Sequence, residues 1–159
     1  MRDYKELDVW RKSVLLTTEL YKLTSGFPDT ERFGLTSQIR RAATSVAANI
    51  AEGWGRGSRK EFIQFLTIAR GSLTELETHL IIASNLHMLT PEQFASVSKS
   101  IQDIGKMLNR LIAVLRARKG RGPDSEGPTR EPRVPSNESR LPNPETLVAS
   151  GESRVTSHE

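Results

Sequence analysis

The chain has 159 residues, 36% of them hydrophobic and 26% charged, with no cysteine and a formal net charge of +4. That length predicts one domain able to bury a core. The missing cysteine excludes disulfide staples and thiolate metal sites, and no apolar segment is long enough to span a bilayer or serve as a signal sequence, so a cytoplasmic protein without membrane contact is expected. The charge is uneven: residues 1–119 hold 18 Lys and Arg against 12 Asp and Glu, and residues 120–159 hold 5 against 7. The basic part is the one with fold-forming patterns, and such a surface attracts polyanions at long range.

In chain order, a first stripe of apolar residues spaced three and four apart runs through Leu7, Trp10, Val14 and Tyr21. Residues so spaced share one side of a helix, and this stripe predicts a helix from Leu7 to Ser25, closed by Gly26 and Pro28. A second stripe, Leu35, Ile39, Val46 and Ile50, predicts a helix that begins between Thr30 and Leu35 and ends at Gly53. The third, Phe62, Leu66, Ala69, Leu73, Leu76, Leu80 and Ala83, follows Ser58 and Glu61, a capping-box pair, and reaches Leu86. The fourth opens on Thr90, Pro91 and Gln93 and carries Phe94, Val97, Ile101, Ile104, Leu108, Leu111 and Leu115, ending near Arg118. Four such helices with short connections predict an all-α, antiparallel up-down four-helix bundle over residues 1–119. Residues 120–159 are rich in Pro, Ser, Gly and Glu, lack apolar periodicity, and are expected to form a disordered tail.

The first helix holds a further apolar seam, Val9, Ser13, Leu16, Leu20, Leu23 and Phe27, and the third holds Phe65, Ile68, Ser72, Glu75, His79, Ile82 and Leu86. Ser37, Arg41, Thr44, Ser45 and Ala48 on the second helix are mostly short-chained where a solvated face ordinarily carries Glu and Lys. Surplus seams predict a homo-oligomer, with Val9, Leu16, Leu20, Leu23, Phe65, Ile68, Ser72 and Glu75 at the subunit interface.

Candidate chemistry is sparse. Glu75 and His79 lie one turn apart, but bundle metal centres use inward carboxylates with two Glu-x-x-His motifs, so a satisfied polar cluster is expected here, with no metal and no cofactor. No serine is paired with a base in a recognisable pattern, and no catalytic residue is assigned. The stretch from Gly53 to Lys60 is the functional candidate. Its glycines resemble a phosphate loop, but that motif needs a preceding strand, so they are read as a helix-to-helix turn. Arg56, Arg59 and Lys60 crowd the positive end of the third helix, where an anion would relieve their repulsion, and Arg40 and Arg41 add charge on the second. Trp54 offers a ring either for a base to stack on or for capping the bundle. These six residues are the candidate contacts to RNA or DNA, weighed against a merely solvated basic face.

The run LTSQIRRAATSVAANIAEGWGRGSRKEFIQFLTIARGSLTELETHL, preceded by DVWRKS and ELYKLTSGFP, closely resembles the bacterial four-helix bundle family of 23S ribosomal RNA intervening-sequence proteins. The resemblance covers roughly the first three quarters of the chain. It implies a ring-like homopentamer and points at Arg40, Arg41, Asn49, Glu52, Ser72 and Glu75. A related branch, the accessory protein of diversity-generating retroelements, implies a reverse transcriptase and nucleic acid as partners. The expectation is therefore a non-enzymatic oligomeric bundle that contacts nucleic acid or a ribonucleoprotein, with a protein-interaction scaffold as the alternative.

Overall fold

The computed structural model describes residues 3–117. Within them, a short 3₁₀ turn (Tyr4–Glu6) precedes helix α1 (Asp8–Thr24), a second turn (Asp29–Glu31) precedes α2 (Leu35–Gly55), and α3 (Arg59–Asn85) and α4 (Pro91–Ala117) complete a four-helix bundle. The expected tail over residues 120–159 and the fourth helix's end at Arg118 lie outside the described residues.

The helix boundaries follow the capping chemistry. Ser58 Oγ accepts the Glu61 amide at 3.4 Å to open α3. At α4 the box is reciprocal: the Gln93 amide donates to Thr90 Oγ1 at 3.2 Å, and the Thr90 amide donates to Gln93 Oε1 at 2.9 Å. Two amides left without helical partners are thereby satisfied. The α2–α3 turn closes through Gly57, whose φ of 71° lies in the left-handed region that a side chain disfavours.

Cross-helix contacts fix the antiparallel register. Thr17 Oγ1 donates to the Ala43 carbonyl and Arg40 Nε donates to Thr24 Oγ1, so α2 descends as α1 rises. Ser45 meets Ser72 at 2.8 Å while Arg41 meets Glu75, and Arg70 meets Asn109 while Gly105 faces Leu73. One end of the bundle therefore gathers the N-terminal turn, the α2–α3 turn and the end of α4. The other gathers the α1–α2 and α3–α4 connections.

The core is the inner face of all four helices. The α3 stripe from Phe62 to Ala83 is buried throughout, as are Ile39, Val46 and Ile50 on α2 and Val97, Ile101, Ile104 and Leu108 on α4. The α2–α3 packing is close because small residues line it. A Cβ added to Gly53 would stand 2.5 Å from Phe65 Cβ, so only glycine allows this approach.

On α1 most of the buried residues come from the seam expected to meet another subunit. Val9, Leu16 and Leu20, expected to meet another subunit, are buried within the single chain at 4%, 3% and 0% exposure, and Leu23 is half-buried against the same core. Of the stripe expected to be core, Leu7 is buried at 4% exposure, but Trp10 and Val14 are only half-buried and Tyr21 is 44% exposed. The inward seam contains Ser13 and Thr24, whose hydroxyls donate to the Val9 and Leu20 carbonyls at 2.7 Å. These hydroxyls are satisfied within the helix, so their burial carries little desolvation cost. On α3, Ser72 is likewise buried, facing Ser45, and this corrects its assignment to an intersubunit seam.

Candidate nucleic-acid interface

The six candidate contact residues do not form one patch. Arg40 and Arg41 stand near the α1–α2 connection, whereas Trp54, Arg56, Arg59 and Lys60 stand at the opposite end, roughly 20 Å away at the rise of α2.

Arg40 is a helix staple. Its Nε donates to Thr24 Oγ1 at 2.9 Å, its Nη2 donates to the Tyr21 carbonyl at 3.3 Å, and its guanidinium lies 4.7 Å over the Tyr21 ring. A cation that holds a last-turn carbonyl and hydroxyl of α1 also complements that helix's dipole. Arg41 turns toward α3. It donates to Gln38 Oε1 at 2.6 Å and reaches Glu75 Oε1 at 3.4 Å. The same carboxylate oxygen lies 3.5 Å from His79 Nε2, which is buried and makes no hydrogen bond. Glu75 and His79 are thus joined by an arginine that sequence spacing did not connect to them, but the cluster is not the satisfied one expected, since His79 Nε2 is left without a hydrogen bond among the described residues. Among the described residues no three His, Asp or Glu side chains converge as metal ligands.

At the other end, Trp54 is half-buried and meets Phe62 edge to face, with centroids 5.7 Å apart. Arg56 pairs with Glu52 one turn earlier and covers the Phe65 ring at 5.2 Å. Arg59 and Lys60 are exposed in the first turn of α3.

The antiparallel register supplies a feature that no single motif shows. Dividing each helix at its midpoint, the end holding the α2–α3 turn (residues 3–15, 46–71 and 105–117) carries ten Lys and Arg against five Asp and Glu. The opposite end (residues 16–45 and 72–104) carries five against seven. The bundle is electrically polar along its axis. Lys12, Lys60, Lys106, Arg110 and Arg116 on the cationic side are exposed, and none forms an ion pair with another described residue. Three of these, Lys106, Arg110 and Arg116, come from α4. Only the fold brings Arg110 and Arg116 to the same end as Lys60.

Of the residues expected at a subunit interface, Ile68 and Glu75 remain exposed, and Phe65 is half-buried beneath Arg56. Ile68, Ile82 and Leu86 keep 45%, 42% and 55% of their surface and follow one another along the outer side of α3. Among the described residues no helix is long and apolar enough to cross a membrane.

A family model described as 23S rRNA-intervening sequence protein matches residues 5–110. A crystal structure of a protein of unknown function from the S23 ribosomal protein family of Bacteroides thetaiotaomicron is similar, with a TM-score of 0.62 and 30% sequence identity over 66% of this chain and 95% of that one. No curated protein matches the chain.

Proposed function

We propose that this chain, which belongs to the 23S rRNA-intervening sequence protein family, is a non-enzymatic, oligomeric, cytoplasmic bundle that contacts nucleic acid or a ribonucleoprotein through its basic surface. The observation that carries this reading is the axial division of charge, ten cations against five acids at one end and five against seven at the other. A polar bundle of this kind orients toward a polyanion before contact, because the two ends experience opposite forces in its field. The cations best placed for it are exposed and held by no acidic neighbour among the described residues, so an approaching phosphate displaces water and counterions without breaking an ion pair. Titration of labelled RNA and DNA at low and moderate salt tests the reading. Binding weakened by salt supports it, and no binding at low salt removes it.

The runner-up, a protein-interaction scaffold such as a reverse-transcriptase accessory subunit, is favoured by a different observation. Ile68, Ile82 and Leu86 form an exposed apolar line on α3, flanked by the Arg41–Glu75–His79 cluster. Such a line suits another protein surface, including a second copy of the chain in a pentamer. Light scattering of the wild type and of Ile68→Lys with Ile82→Lys separates the cases. A dissociated, folded double variant supports self-association through α3, and a monomeric wild type excludes it.

A further inference from the structure

Nucleic-acid contact through stacked bases favours an exposed aromatic ring, and at the cationic end every described aromatic is buried or half-buried against another side chain. Trp10 meets Tyr4 edge to face at 5.2 Å, and Trp54 meets Phe62 in the same way at 5.7 Å. Arg56 covers Phe65, and Lys5 lies 5.8 Å over the Tyr4 ring. Among the described residues the exposed large aromatics are Tyr21 and Phe33, both at the opposite end, and the Tyr21 ring is under Arg40. The aromatic side chains beside the cations are occupied with packing.

We infer that the cationic end binds the phosphate backbone of duplex nucleic acid as a polyelectrolyte, without stacking on bases. This rests on the reading that the protein contacts nucleic acid, and it names the partner and the mode. Lys12 on α1, Lys60 on α3 and Lys106, Arg110 and Arg116 on α4 come from three different helices, so the charges are spread over the end of a rigid cylinder. Cations spread in this way, with no exposed ring among them, follow charge density. Duplex DNA presents one phosphate charge for about every 1.7 Å of axis, more densely than a flexible single strand. Single-strand binders make up that deficit by stacking, worth about 1–3 kcal/mol per base, and this surface lacks the means.

The test titrates the full chain with a blunt DNA duplex, with one of its strands alone, and with inorganic polyphosphate as a competitor that has charge but no bases. The inference expects the duplex to bind severalfold tighter than the strand at equal salt, polyphosphate to displace it, and Trp54→Phe to change neither affinity. It also expects Lys60→Gln with Arg110→Gln and Arg116→Gln to lower the slope of log affinity against log salt by about 2–3, close to one for each lost phosphate contact. A single strand preferred over the duplex, with that preference erased by Trp54→Phe, would overturn the inference and leave nucleic-acid contact standing. Duplex binding that polyphosphate does not displace would overturn it in the same way. Failure of all three polyanions to bind at low salt would remove nucleic-acid contact itself, and the inference with it.

Discussion

The two ends of the bundle use the same side chains for different work. At the α1–α2 end the arginines are tied into the fold: Arg40 holds the last turn of α1 through Thr24 and the Tyr21 carbonyl, and Arg41 joins α2 to α3 through Gln38 and Glu75. At the α2–α3 turn and the end of α4, Lys60, Arg110 and Arg116 face solvent with no ion pair among the described residues. A cation's role is therefore set by which carbonyls and carboxylates the register brings to it, and not by the presence of basic residues in a motif. The RR pair in SQIRRAA and Lys60 in GSRKEF look alike in sequence, yet the pair fastens helices while Lys60 faces solvent with no ion pair among the described residues.

That contrast orders the effects of substitution. The largest is expected for a cation placed where neither a partner nor water is available. Leu16→Lys, at a position only 3% exposed midway along α1, is expected to cost on the order of 4 kcal/mol or more and to unfold the bundle rather than dissociate an assembly. Circular dichroism separates these outcomes, because dissociation spares helicity and unfolding does not.

Removal of a fastening cation comes next. Arg40→Ala leaves the Tyr21 carbonyl and the Thr24 hydroxyl with fewer partners, and a loss of about 1–2 kcal/mol in chemical denaturation is expected, with polyanion affinity nearly unchanged. A large loss of affinity with unchanged stability would reverse the roles given to the two ends.

Removal of the solvent-facing cations is expected to change stability least, within about 0.5 kcal/mol for each of Lys60→Gln, Arg110→Gln and Arg116→Gln. A smaller effect still concerns the first turn of α4. The Glu92 carboxyl is held below the ordinary carboxylate range, first by its own backbone N–H and then by the Thr90 hydroxyl. A depressed carboxyl contributes stability above its unfolded pKa and loses it as pH falls through the folded one. Glu92→Gln should therefore flatten slightly the fall in melting temperature on acidification and leave neutral-pH behaviour nearly unchanged.

Much of the fold was legible in the sequence because apolar side chains sat where helical spacing required them. Every residue of the α3 stripe is buried, and the Ser58 and Thr90 caps open their helices as the capping pattern predicts. On α1 apolar spacing alone does not identify the buried face, of whose expected members Leu7 is buried and Tyr21 is exposed. Trp10, Val14 and Tyr21 are the larger side chains, but Ser13 and Thr24 are the ones that bury, and only their bonds to the helix's own carbonyls show why that is tolerable. The candidate site was legible as residue types and not as a surface. Arg56, Arg59 and Lys60 were visible as a cluster, whereas the pairing of Arg56 with Glu52, the packing of Trp54 on Phe62 and the arrival of α4 at the same end depend on contacts between elements. Lone charges on α4 have no local signal that marks them as companions of a turn nearly 50 residues earlier.

The most direct measurement is the salt dependence of duplex binding for three proteins: the wild type, the Lys60→Gln, Arg110→Gln, Arg116→Gln variant, and Arg41→Gln as a cation removed from the opposite end. The polar-bundle account predicts that the wild type and Arg41→Gln share a steep slope while the triple variant loses about 2–3 from it. Equal slopes in the wild type and the triple variant, or a loss confined to Arg41→Gln, would contradict the assignment of phosphate contact to the cationic end.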